Sequence, residues 1–323
     1  MELIITDNMI IQFITGGTEY TLSKMVFSDN GVEHEVYNSD STPSHDYSQD
    51  YFTIEMLDGS NATLALNRSS NASGLSDIII AYSINDGTWK TVTFSNSVSI
   101  TGLNQGDKIR FKWGGQYSWD NKSWAKDYNS WHAFNRAFSG STTYHYKVYG
   151  NLLSLFNGDN FLNSSLPNAN YVVGSLFKMF NETANDSLVS AKDLIFPDTM
   201  PDRNNCYYSM FANCTALEEA PEILPAMTLG FGCYDSMFTG CTSLTKAPIL
   251  PALTMRSSAY QFMFDGCTSL NYVKCLASEA WTSALSNWLN NVSSIGTFVK
   301  NALATNWPSG KNGIPSGWTV QDA

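Results

Sequence analysis

Between about Tyr51 and Phe156 apolar and polar positions alternate in short runs: YFTIEML, ATLALNR, DIIIAYSI, WKTVTF, VSITGL, KIRFKW and TTYHYKVYG. Period-two alternation marks strands with one buried face. Asp-Gly, Ser-Asn and Gly-Asp separate the runs, and Asn85-Asp86-Gly87 predicts a tight hairpin with Trp89 opening the returning strand. These features predict a β-sandwich over residues 49–157. Residues 1–48 hold further strand-like pieces, LIIT, MIIQFIT, TEYTLSKMVF and VEHEVY, before a polar run, NSDSTPSHDYSQD. That run reads as a linker, so 1–48 is expected to be an attachment module; the alternative is an extra sandwich strand or two.

After residue 158 the pattern changes to a repeat. CYYSMFANCTALEEAPEILPA begins at Cys206, CYDSMFTGCTSLTKAPILPA at Cys233 and AYQFMFDGCTSLNYVKCL at Ala259. Aligned on Met210, Met237 and Met263, the copies are 27 and 26 residues apart, and the first carries one extra residue in EAPEILPA relative to KAPILPA. A degenerate earlier copy runs from Met179-Phe180 through Leu188, Ala191, Leu194 and Pro197. One such coil cannot bury its own apolar residues, whereas stacked coils set each against its counterpart. Three columns are expected to carry the stack beside the methionines: Phe211/Phe238/Phe264, Cys214/Cys241/Cys267 and Leu217/Leu244/Leu270. The six cysteines, which also include Cys206, Cys233 and Cys275, contain no CxxC spacing. Ala259 replaces the leading cysteine in the third copy, which fits packed free thiols rather than bonded ones.

The motif MFxGCTSLTKAPxLPA resembles the BspA-like leucine-rich repeat of Bacteroides surface proteins and of the crAss-like phages that infect Bacteroides. GTFVKNALATNWPSGKNGIPSGWTV, from Gly296, resembles the segment that closes such repeats, and YKVYGNLLSLF, from Tyr146, their lead-in. The resemblance covers roughly residues 50–323. It implies a mainly β chain: an N-terminal docking module (1–48), a β-sandwich (49–157), a short leucine-rich-repeat solenoid (158–277) and a C-terminal cap (278–323). Within the cap, Ser278 to Val292 places Trp281, Leu285, Trp288, Leu289 and Val292 at helical spacing behind a serine cap, predicting a helix. The resemblance further implies a non-enzymatic fibre on the head or tail of a virion. It would attach to capsid or tail proteins through the N-terminal module, form a homo-oligomer such as a trimer, and contact a host surface glycan or protein. A bacterial cell-surface adhesin of the same repeat family is the alternative, and a glycan-cleaving fibre the third reading.

Composition narrows these readings. Of 323 residues 43% are hydrophobic and only 15% charged, which excludes disorder and coiled coil as whole-chain descriptions. A net charge of −11 repels phosphate backbones and anionic headgroups, so neither nucleic acid nor a membrane surface is an expected partner. No apolar run reaches the length of a membrane helix. Met1 to Thr15 lacks a basic n-region and does not read as a secretory signal. That favours the virion over the exported adhesin.

The clearest candidate for ligand contact is the segment from Lys112 to Phe138, which carries Trp113, Tyr117, Trp119, Trp124, Tyr128 and Trp131. Exposed rings on a loop suit stacking on sugars or protein partners; the competing reading is a local mini-core. His34, His45, His132 and His145 fall in no metal-ligand spacing, no GxSxG is present, and Gly310-Lys311-Asn312 lacks the rest of a phosphate loop. Glu218, Glu219 and Glu222 are the candidate carboxylates for sugar hydrolysis, against the ordinary reading of a solvated repeat edge. No catalytic residue, metal or cofactor is expected.

Overall fold

The computed structural model describes residues 2–5, 11–15, 18–21, 24–29, 32–38, 47–67, 78–94, 97–114, 144–163, 186–198 and 204–323. The chain is mainly β and separates into two compact units, Met1–Gln49 and Asp50–Ala323. In the first, β1 (Glu2–Ile5), β2 (Ile11–Thr15) and β3 (Thr18–Thr21) form an antiparallel sheet, and β4 (Lys24–Asp29) pairs with β5 (Val32–Asn38) across a bulge at Met25/Val26.

The second unit begins with β6 (Phe52–Met56), β7 (Ala62–Asn67), β8 (Ile78–Ile84), β9 (Lys90–Phe94), β10 (Ser97–Leu103), β11 (Lys108–Trp113) and β12 (Tyr146–Asn151). Short parallel strands β13 (Leu188–Ser190) and β14 (Leu194–Ile195) pair with β12, completing a seven-stranded sheet in which the order runs β13-β12-β6-β11-β8-β9. A second sheet of β7 and β10 contributes Leu64, Leu66, Ile100 and Leu103 to the same hydrophobic core as Phe52, Ile54, Ile109 and Phe111. The predicted alternation is visible in burial: Ile109, Phe111 and Trp113 face inward on β11 while Lys108, Arg110 and Lys112 face outward. The hairpin at Asn85-Asp86 forms as expected, both residues taking positive φ (49° and 58°). A one-turn helix, α1 (Ser154–Asn157), then leads out of the sheet. Gly150, at φ 82°, lets β12 pass close to its neighbour; a Cβ there would lie 2.1 Å from the Tyr51 carbonyl oxygen.

From Asn205 onward the repeats stack by a fixed hydrogen-bond rule. The N–H groups of Asn205, Tyr207, Ser209, Phe211 and Asn213 donate to the carbonyls of Phe231, Cys233, Asp235, Met237 and Thr239 in the next copy. The intervening N–H groups of Tyr208, Met210, Ala212 and Cys214 donate three residues back, to Asn205, Tyr207, Ser209 and Phe211. A left-handed residue every fourth position, Asn205, Ser209 and Asn213, keeps this ribbon of turns straight. The second copy repeats the rule with Gly232, Ser236 and Gly240, the third with Ser258, Phe262 and Gly266. At Gly240 (φ 74°) a Cβ would come 2.7 Å from the Asn213 side-chain oxygen of the preceding copy.

The predicted helix at Ser278–Val292 does not form. Residues 284–291 make a fourth ribbon: Tyr260, Phe262, Phe264 and Gly266 donate to the carbonyls of Ala284, Ser286, Trp288 and Asn290, and Asn287 and Asn291 are left-handed. A helix would consume those carbonyls internally and leave the third copy's donors without acceptors. Leu285, Trp288 and Leu289 are buried at the positions of Tyr260, Met263 and Phe264, whereas Trp281, expected on the same buried stripe, is exposed. On the opposite side of the stack β15 (Tyr272–Cys275), β16 (Gly296–Lys300) and β17 (Trp318–Asp322) continue as a parallel sheet.

Candidate functional site

The residues that define the repeat all point inward. Met210, Phe211, Cys214, Leu217, Met237, Phe238, Cys241, Leu244, Met263, Phe264, Cys267 and Leu270 are each fully buried. The Phe211, Phe238 and Phe264 rings stack at 5.2 and 5.5 Å with nearly parallel planes. A second column unnoticed in the sequence, Tyr207, Tyr234 and Tyr260, stacks at 5.6 and 6.1 Å. All six cysteines are free and buried. Cys241 and Cys267 donate their thiols to the Phe211 and Phe238 carbonyls at 3.1 and 3.0 Å. Burial pushes these two thiols and that of Cys233 well above the ordinary range, and Cys275 up to about 12. Neutral, enclosed thiols are packing groups, not nucleophiles.

Of the six candidate contact rings only Trp113 lies among the described residues, and it belongs to the core, 8% exposed at the end of β11. Tyr117, Trp119, Trp124, Tyr128 and Trp131 lie outside the described residues.

The outward face of the same sheet carries an aromatic and charged cluster that the alternating pattern contained but did not single out. Lys112 Nζ sits 4.2 Å from the Trp89 ring centre and 2.7 Å from Asp159. The Arg110 guanidinium lies over both Tyr51 and Trp89, at 5.7 and 5.5 Å, and pairs with Asp86 at 3.0 Å. Tyr51 donates its hydroxyl to Asp159 at 2.6 Å; burial, reinforced by that carboxylate, pushes the phenol up to about 12. Next to them Tyr149 donates to Glu55 at 3.1 Å, and Lys147 pairs with Glu55 at 3.3 Å. Glu55 of β6, Arg110 and Lys112 of β11, and Lys147 and Tyr149 of β12, with Tyr51 and Trp89 just before β6 and β9, Asp86 of the hairpin and Asp159, thus assemble a cluster of three rings and cations fixed by their own counter-charges.

A cleft of about 320 Å³ opens on the strand side of the repeats, lined by Lys192, Glu218, Glu219, Glu222, Thr245 and Lys246 over a floor of Ala220, Pro221 and Ala247. The three glutamates sit on the solvated repeat edge, as the sequence predicted, and the structure brings them together with two lysines. Glu219 accepts from the Ser190 hydroxyl at 2.8 Å, and Lys246 lies 5.5 Å from the Tyr272 ring. His145, without a role in the sequence reading, pairs with Asp58 at 2.5 Å where β12 begins. Among the described residues no group of three or more His, Cys, Asp or Glu is placed to hold a metal ion, and no helix is long and apolar enough to cross a membrane. No protein-family model, curated protein or solved structure matches the chain.

Proposed function

We propose that the chain is a non-enzymatic adhesion protein of a virion surface, a head or tail fibre. In this reading residues 1–48 dock to capsid or tail proteins, 49–157 form a β-sandwich, and 158–277 form a leucine-rich-repeat solenoid of the BspA-like kind closed by 278–323. The outer surfaces of the last three contact a host glycan or surface protein, and the chain works as a homo-oligomer.

One observation carries the reading. All twelve side chains that define the repeat lie in the interior, so the repeat specifies a scaffold and leaves its outer surface free to be adapted. Beside that scaffold the half-buried Trp89 ring, with the Arg110 and Lys112 cations over it and the buried Tyr51 ring beside it, has the composition of a recognition site: an aromatic ring and a guanidinium held rigid by strands. Quantitative mass spectrometry of purified phage particles and of host membrane fractions tests it. A fixed, symmetry-compatible copy number in particles is expected, with the count separating head from tail. Peptides confined to host membranes would overturn it in favour of the bacterial adhesin.

A further inference from the structure

The cleft exists because of one residue. From Ala191 to Leu194, and again from Ala247 to Leu250, the chain takes three steps between buried side chains; from Ala220 to Leu224 it takes four. This segment of the first full copy is therefore one residue longer than its counterparts on either side, and Glu222 stands at the insertion. An extra residue in one strand of a ladder leaves local pairing unmade. The longer segment stays with its upstream neighbour, where Glu218 N–H donates to Val189, Ala191 N–H to Glu219, and Glu222 N–H to Lys192. Downstream, the coil of Thr245–Ala247 pairs with the coil after it, through Asn271 N–H to Thr245 and Ala247 N–H to Tyr272. Between these two pairings no hydrogen bond joins Glu218–Ala220 to Thr245–Ala247, and the ladder resumes only at Ile223↔Ile249.

The gap is lined by groups that ask for a particular chemistry. Among the described residues the Ala220 and Thr245 N–H groups have no backbone hydrogen-bond partner, and the Glu218, Glu222 and Lys192 side chains form no ion pair. The floor is small and apolar: Ala220, Pro221 and Ala247 are buried. A ligand that fits has one apolar face for that floor and a rim of groups that both donate and accept, answering carboxylates, ammoniums and amides together. A pyranose ring has that build, with C–H bonds on one face and hydroxyls around its edge. Three carboxylates against two ammoniums, on a chain of net charge −11, disfavour an anionic sugar. The volume of about 320 Å³ lies at the small end of ligand sites, about 300 to 1,000 Å³. From these observations we infer that the cleft opened by the Glu222 insertion binds a single residue of a neutral saccharide. This rests on the adhesion reading and names the ligand class and place for it.

The test uses the full chain against an array of immobilised neutral and uronate-containing oligosaccharides. Two variants close the cleft in different ways. Deleting Glu222 restores the three-step spacing that the second copy has from Ala247 to Leu250 and lets the ladder zip; Thr245→Trp fills the space from an exposed position and leaves the core alone, so it serves even if the deletion fails to fold. The expected result is binding of neutral oligosaccharides by the natural chain and a loss of about tenfold or more in both folded variants, the scale of removing one charge-assisted hydrogen bond. Neutral-sugar binding unchanged in either folded variant would overturn the cleft while leaving surface adhesion in place on the sheet platform. Preference for uronates, or no saccharide binding at all, would overturn the ligand class, and the virion copy number would still decide the adhesion reading separately.

Discussion

Replacing Phe238 by alanine is the sharpest test of where this fold gets its stability. Phe238 is fully buried at the centre of its column, 5.2 Å from Phe211 on one side and 5.5 Å from Phe264 on the other. Truncating a buried phenylalanine costs about 3–5 kcal/mol through lost transfer energy and the cavity left behind. Relaxation normally recovers part of that cost. Here it is blocked: the Phe238 N–H donates to Met263 and the Met237 carbonyl accepts from Phe211, so the backbone on both sides is pinned and the flanking rings cannot close in. The loss should therefore fall near the top of the range, about 4–5 kcal/mol, or roughly 8–10 °C in Tm at about 2 °C per kcal/mol for a body of this size. Leu253→Ala, at an exposed position, should stay within about 0.5 kcal/mol. Urea unfolding followed by tryptophan fluorescence reads both, with the midpoint shifting and the slope unchanged. A Phe238→Ala loss below about 1.5 kcal/mol would mean that the aromatic column is not the main support of the stack.

Two further outcomes follow from the titrating groups. The free thiols should resist alkylation in the folded protein at pH 8, because burial raises Cys233, Cys241 and Cys267 far from the thiolate and Cys275 to about 12; all six should label in denaturant, and rapid labelling of the native chain would refute their enclosure. Burial alone would raise the Asp58 carboxyl, but its bonds to the His145 ring and backbone outweigh that and hold it below its usual value of 3.8. The stability it contributes is therefore present above about pH 4 and lost as pH falls through the lower folded value. For so exposed a pair this is at most about 1 kcal/mol, and Asp58→Asn should flatten the acid limb of a Tm-versus-pH curve without changing the plateau shape near neutrality.

Much of the architecture was legible, and the two failures have separate physical causes. Period-two alternation located the strands from β6 to β12 because one face of that sheet is dry and the other carries Lys108, Arg110 and Lys112. The repeat placed the buried phenylalanines, cysteines and leucines because identical coils must bury identical positions. The stretch after Ser278 misled because a four-residue turn ribbon and an α-helix share a pattern. Leu285, Trp288, Leu289 and Val292 follow the 0, 3, 4, 7 spacing of Tyr207, Met210, Phe211 and Cys214, and both conformations put those positions on one side. Register against the third copy separates them: Ala284-Leu285 stands 25 residues after Ala259-Tyr260. The aromatic platform was missed for a different reason. Tyr51, Trp89 and Asp159 are far apart in sequence and meet only because the strand order brings β6 and β11 together and sets β8 between β11 and β9.

The two sides of each coil also differ in how they tolerate change, and this locates where recognition can evolve. On the ribbon side, N–H groups alternate between bonding the next copy and closing their own turns. One inserted residue there would exchange the two sets along the rest of the ribbon. The five bonds that each copy makes to the next, such as those from Asn205 to Asn213, would then face the wrong way at about 1 kcal/mol each, before the penalty of leaving buried groups unpaired. On the strand side the same insertion at Glu222 forgoes only the two bonds that the flanking interfaces make at this place, and pairing recovers at Ile223↔Ile249. The groups left unpaired there open to solvent in a cleft rather than into the core. Length variation is thus costly where the chain is a scaffold and cheap where it shapes a surface, so the inserted glutamate sits on the side where the fold can absorb a change and convert it into a pocket.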